Sequence, residues 1–80
     1  MFEVQLTAPQ IESDGMTVMF WYSDIEINAK SKIAARKKVE KMIKNQEIDY
    51  DILDEDGNEI DFQIPNDEVP DPEIDQVVKL

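Results

Sequence analysis

MTVMFWYSDIEINA, Met16 to Ala29, divides its apolar side chains between two faces, and that division decides what the rest of the chain must build. The run is rich in β-branched and aromatic residues, which suit a pleated surface, so it predicts a strand. In an unbroken strand Met19, Trp21, Ile25, Ile27 and Ala29 share one face, while Val18, Phe20 and Tyr22 lie on the other. The first half is therefore apolar on both sides. Two solutions exist. A bulge near Ser23-Asp24 switches the faces, or Val18, Phe20 and Tyr22 form a second apolar surface covered by the C-terminal segment, a second copy of the chain or a partner.

Upstream, Phe2, Val4 and Leu6 alternate with Glu3, Gln5 and Thr7, the period of a half-buried strand that stops at Ala8-Pro9. Glu12-Ser13-Asp14-Gly15 supplies turn chemistry. Asp-Gly between two alternating runs marks an antiparallel hairpin, and the expected loop is a long one, Pro9 to Gly15.

Downstream, Ser31 to Lys44 reads SKIAARKKVEKMIK, a helix with Ser31 as N-cap and Asn45 placed to take the left-handed position after its end. Ala35, Val39, Met42 and Ile43 fall within about 100° of arc, a stripe that packs on a sheet. Ile33 lies off the stripe and is expected to seal the helix entry. Lys37, Lys41 and Lys44 occupy the opposite side. Six cations against Glu40 give the segment a charge of +5 in a chain of net charge −11, so the remaining residues carry −16.

Glu47 to Pro65 reads EIDYDILDEDGNEIDFQIP, and its register is set by its apolar residues. Pairing Ile52 with Ile60, Tyr50 with Phe62 and Ile48 with Ile64 puts all six on one face. That register places Asp54 opposite Asn58 across Glu55-Asp56-Gly57, with Gly57 in the left-handed position of a bulged turn. Pro65 ends the strand. In the tail, Pro72 after Asp71 reads as a helix start, and Ile74, Val77 and Val78 have helical spacing, so a short amphipathic helix is expected from Pro72 to Lys79.

The expected fold is α+β, ββαββ: a four-stranded, mainly antiparallel sheet with one helix packed on one face and a short C-terminal helix. Residues 1–65 form the single domain, and residues 66–80 form an acidic, Pro-containing tail. Eighty residues bury only about 60 to 65% of the unfolded chain's surface, which allows one small core.

Composition narrows the chemistry. The chain has no Cys and no His, which removes disulfides, thiolate nucleophiles, imidazole acid–base work and most transition-metal sites. Only two glycines occur, and no phosphate loop or nucleophile elbow. DILDEDGNEID resembles part of a calcium loop, but aligning Gly57 with the loop's glycine leaves Ile52 at position 1 and Gln63 at position 12, where carboxylates are required. The expectation is a protein that is not an enzyme and holds no cofactor or metal. The N-terminus has no basic, apolar leader and no window spans a bilayer, which reads as a cytoplasmic protein with no membrane role.

The charge pattern carries the functional reading. From Glu47 to Asp75 there are thirteen Asp or Glu and no Lys or Arg. Asp49, Asp51, Glu59 and Asp61 alternate with the hairpin's apolar set and project from one face. Side chains on one face of a strand repeat every ~6.6 to 6.8 Å, close to the phosphate spacing of roughly 7 Å along one DNA strand. The leading expectation is a non-enzymatic, acidic protein-interaction module that binds a partner either through Asp49, Asp51, Glu59 and Asp61, inhibiting a basic surface by imitating DNA, or through an exposed Val18, Phe20 and Tyr22 face. The alternatives are a homodimer through the Val18, Phe20 and Tyr22 face, and nucleic-acid binding through the basic helix, which a pI near 4.1 disfavours. In size, acidity and lack of catalytic motifs the chain resembles the accessory proteins of bacteriophages and mobile elements, a resemblance of type that rests on no motif; for such a protein the compartment is the host cytoplasm.

Overall fold

The computed structural model describes residues 1–80, with strands β1 (Phe2–Leu6), β2 (Gln10–Ser13), β3 (Met16–Tyr22), β4 (Ile25–Ile27), helix α1 (Lys32–Lys44), β5 (Tyr50–Leu53) and β6 (Ile74–Lys79). The strands form two antiparallel three-stranded sheets, ordered β4-β1-β6 and β2-β3-β5. The α+β class is as expected, but six strands in two sheets replace the four strands of ββαββ.

The two sheets grow from one long hairpin. Asp14 and Gly15 both have positive φ, 53° and 76°, the backbone that a two-residue hairpin turn needs at both central positions. Ser13 pairs with Met16, and the same register continues through Gln10 with Met19 to Val4 with Ile25 and Phe2 with Ile27. The loop expected over Pro9–Gly15 is thus mostly strand; the turn is Asp14-Gly15 alone. Between the two paired regions, Phe20 N–H donates to the Pro9 carbonyl at 2.9 Å, in register, but Pro9 has no N–H to return. Two strands of this length reach about 40 Å at ~3.3 Å per residue, which accounts for a longest dimension of 44 Å.

The faces do switch near Ser23-Asp24. Paired residues lie on one side of a ribbon, so without a switch Phe2 and Val4 would face away from Val18, Phe20 and Tyr22. All five belong to one buried core with Ala35, Val39 and Ile48. No residue is inserted, because the register is unchanged. The strands are interrupted at Thr7–Pro9 and at Ser23-Asp24, where the hairpin passes from one sheet to the other, and the expected bulge of one extra residue is absent.

Helix α1 packs on β1, β4 and β6 with Ala35 and Val39 buried and Met42 and Ile43 half-buried, the stripe predicted for it. Ser31 Oγ accepts the Ala34 N–H at 3.1 Å. The C-terminus differs from expectation by one residue. Asn45 is the C-cap, at φ −88°, and Gln46 takes the left-handed position at φ 55°. Gln46 N–H donates to Ile43 O and Glu47 N–H to Met42 O, the paired bonds of a Schellman ending that turns Ile48 into the core. Ile33 is 69% exposed and seals nothing.

The hairpin after α1 has the predicted turn. Asp54 N–H donates to Asn58 O at 2.9 Å, Gly57 N–H to Asp54 O at 3.1 Å, and Gly57 has φ 82°. Asp54 Oδ1 accepts both the Asp56 and Asn58 N–H groups at 2.9 Å, which fixes the loop locally. Leu53 pairs with Glu59 and Ile60 N–H donates to Ile52 O, but the ladder stops there. Ile60, Phe62 and Ile64 instead pack their alternating side chains, half-buried, against the core.

The tail is the main correction. Ile74–Lys79 is strand β6, not a helix, and it pairs with β1 from Phe2–Lys79 through Val4–Val77 to Leu6–Ile74 with a register shift between Gln5 and Leu6. Thr7 and Glu73 close the start of the ladder: Thr7 N–H donates to Glu73 O at 2.9 Å, and Glu73 N–H to Thr7 Oγ1 at 2.8 Å. A free helix of eight residues is unstable, whereas Ile74, Val77 and Val78 are β-branched and the edge of β1 offers a ready ladder. The only helical turn in the tail is a 3₁₀ turn at Asn66–Glu68.

Candidate interaction surface

The residues expected to contact a partner separate into two groups. Val18 and Phe20 have no exposed surface and Tyr22 keeps 8%. The cover is the chain itself. Tyr50 and Ile52 stand beside them in β5, with Phe20 and Tyr50 edge-to-face at 5.5 Å and Tyr22 and Tyr50 tilted at 5.2 Å. Tyr22 O–H donates to the Pro70 carbonyl at 2.9 Å, which ties β3 to the tail. The apolar surface available for a homodimer through Val18, Phe20 and Tyr22 is therefore spent inside the monomer.

Asp49, Asp51, Glu59 and Asp61 are all exposed. Asp51 lies in β5 opposite Trp21, and Glu59 pairs with Leu53, so these two share the outer face of the β2-β3-β5 sheet. Asp49 precedes β5 by one residue on the same alternation, and its carbonyl accepts the Ser23 N–H at 3.5 Å. Asp61 lies beyond the last bridge, in a stretch without strand pairing. The expected row is built as a ladder only near Asp51 and Glu59.

That outer face is centred on Trp21, which the unbroken strand pattern grouped with Met19, Ile25, Ile27 and Ala29. Trp21 is 54% exposed in the middle strand of the sheet. Met19 pairs with Leu53 beside it, both half-buried, and Glu12, exposed in β2, borders the same face. Asp51 thus stands directly beside a large exposed aromatic ring, with further acids along the same face. The signal was in the sequence: Val18, Phe20 and Tyr22 could enter the core only if Met19 and Trp21 left it.

On the far side of β3, a cleft of about 140 Å³ opens between the end of α1, β5 and the tail. Tyr22, Tyr50, Ile43, Ile48 and Val69 are among its walls, and Gln46, Asn66 and Asp71 stand at its polar side. Burial pushes the Tyr22 hydroxyl up to about 12, with Tyr50 and Asp71 adding to the shift. No sequence motif announces this cleft, because its lining comes from four separate segments.

The cations of α1, Lys37, Lys41 and Lys44, are exposed as expected, while Lys38 Nζ donates to the Asn28 carbonyl at 2.7 Å and braces the connection from β4. No helix is long and apolar enough to cross a membrane. Comparison of the chain with family models, curated proteins and solved structures finds no match.

Proposed function

We propose that the protein is a non-enzymatic interaction module that presents the outer face of the β2-β3-β5 sheet to a protein partner with a basic surface. The observation that carries this reading is Trp21, 54% exposed at the centre of a sheet face and paired directly with Asp51. Exposed Trp is a common anchor of binding energy, and surrounding carboxylates steer and select a cationic partner. An Arg or Lys of the partner gains both the ring face and the acids. In the finer form of this reading, Asp49, Asp51, Glu59 and Asp61 take the place of phosphates in a nucleic-acid-binding cleft and inhibit it by occupation. The chain's net charge of −11 favours such a partner at long range and disfavours nucleic acid itself.

Immobilised protein exposed to a bacterial lysate, followed by titration of each captured partner in purified form, tests this. Trp21→Ala and the combined Asp49→Asn, Asp51→Asn, Glu59→Gln, Asp61→Asn variant should each weaken binding about tenfold or more, with the acidic set also reducing its salt dependence. Unchanged affinity in both variants rejects the face as the site. Retention of affinity only in the acidic-set variant rejects the phosphate-imitating form and leaves the aromatic anchor.

A further inference from the structure

We infer that the cleft beside Tyr22 and Tyr50 is a binding site for an alkylammonium group, the tip of a lysine side chain borne by another polypeptide. This site lies on the inner side of β3, opposite Trp21, and does not depend on the outer face being functional.

The lining is biased toward one kind of ligand. Two of its polar side chains are already engaged within the chain: Tyr22 O–H donates to Pro70 O at 2.9 Å, and Gln46 Nε2 donates to Asn66 O at 3.3 Å. Among the lining residues Asp71 brings an anionic acceptor, and Tyr22, Tyr50, Gln46 and Asn66 bring neutral oxygens that can accept as well. An ammonium is the complement of such a set, with three donors and no acceptor. No Lys or Arg lines the cleft to neutralise Asp71. Asp71 is near enough to the Tyr22 hydroxyl for its charge to add, after burial and Tyr50, to the upward shift of that group.

Shape and wall chemistry agree. The Tyr22 and Tyr50 rings, 5.2 Å apart and tilted by 47°, make an aromatic corner, and Ile43 and Val69 add aliphatic walls. Aromatic faces attract a cation, and aliphatic walls suit the methylene stem behind it. At about 140 Å³ the cleft is well below the roughly 300 Å³ at which drug-sized pockets begin, so it accommodates one side-chain tip rather than a cofactor. An anionic ligand is disfavoured by Asp71 and by the acids that run from Glu47 to Asp75. A guanidinium, broader and planar, is the competing cation.

The test is a chemical-shift titration of the isotopically labelled full chain at fixed ionic strength. The probes are n-butylammonium, Nα-acetyl-lysine methylamide, the neutral Nα-acetyl-norleucine methylamide and Nα-acetyl-arginine methylamide. The expected result is saturable shifts at Gln46, Ile48, Tyr50 and Val69 with the lysine probe, at a dissociation constant of about 1 to 10 mM. The norleucine probe should bind at least about fivefold more weakly, and Asp71→Asn and Tyr50→Leu should each weaken the lysine probe about two- to fivefold. Circular dichroism confirms that each variant is folded, and Asp71 is exposed, so its variant keeps the test decisive if Tyr50→Leu does not fold. Butylammonium binding with exclusion of the lysine probe overturns the chain-borne ligand. Tighter binding of the arginine probe overturns the lysine assignment. Equal binding of the norleucine probe, shifts confined to Asp49, Asp51 and Glu59, or no saturable shift overturns the cation site.

Discussion

Phe20 and Trp21 are neighbours in the chain and opposites in the fold, so truncating each in turn tests the face assignment on which every functional statement rests. Phe20 has no exposed surface and meets Tyr50 edge-to-face at 5.5 Å and 62°. A fully buried aromatic removes about 150 to 250 Å² from water, worth about 4 to 6 kcal/mol at 25 cal/mol per Å². Most of that is lost in Phe20→Ala, and measured losses for such changes run about 3 to 5 kcal/mol. A domain of eighty residues has a total stability of about 4 to 12 kcal/mol, so Phe20→Ala leaves a marginally folded or unfolded chain. Phe20→Leu is the measurable version: it keeps most of the volume but loses the aromatic pair, at a cost of about 1 to 2 kcal/mol. Trp21→Ala, at a residue 54% exposed, should cost about 1 kcal/mol or less. Urea unfolding followed by far-ultraviolet circular dichroism at two protein concentrations reads all three. If Val18, Phe20 and Tyr22 instead formed an intermolecular surface, the midpoints would rise with protein concentration and Phe20→Leu would cost little in the monomer. Either that concentration dependence or a larger cost for Trp21→Ala than for Phe20→Leu refutes the assignment.

Three further measurements probe local features. Gln46 holds φ 55° at the end of α1, a conformation that costs a side-chain-bearing residue about 1 to 2 kcal/mol, so Gln46→Gly should raise the urea midpoint by a net gain of about 0.5 to 1 kcal/mol; a loss refutes the Schellman ending. Gly57→Ala should destabilise by about 1 kcal/mol although a Cβ there meets nothing within 4 Å, because the cost comes entirely from φ 82°; a neutral result refutes the bulged turn. Tyr22 favours its neutral form in the folded state, with its pKa raised from 10.0 to about 12 by burial first and by Tyr50 and Asp71 next. Its contribution to stability is therefore complete below pH 10 and falls as pH rises from about 10 to about 12, because the unfolded chain releases the proton first. Tyr22→Phe should flatten that part of the pH profile, and a late phenolate absorbance step should vanish with it; persistence of that step assigns it elsewhere.

Much of this architecture was legible wherever the decisive interactions are local. Ser31 and the Ala35–Ile43 stripe specify α1, since capping and one-face packing act within a few turns. The Asp54–Asn58 turn was readable down to Gly57, because only one register keeps Ile52 and Ile60 on the same side. The exposed acids Asp49, Asp51, Glu59 and Asp61 followed from alternation alone. Asn45 and Gln46 show the limit of such reasoning: both are near the end of the helix, and the residue that takes the left-handed position was set by where Ile48 had to enter the core.

The sequence by itself determined the helix, the Asp54–Asn58 turn, the alternation of β1 and β5 and the separation of a cationic helix from an acidic remainder, because each depends on residues close together in the chain. Tertiary structure decided which faces meet. The division of the long hairpin into two sheets at Thr7–Pro9 and Ser23-Asp24 leaves Val4 and Phe20 in one core and Trp21 exposed. The open edge of β1 turns Ile74–Lys79 from a segment compatible with a helix into a strand, since a ladder satisfies its backbone and an isolated helix of that length does not hold. The cleft of Tyr22, Tyr50 and Asp71 exists only after both of these have happened, because its walls are brought together by contacts between residues as far apart as Tyr22 and Pro70.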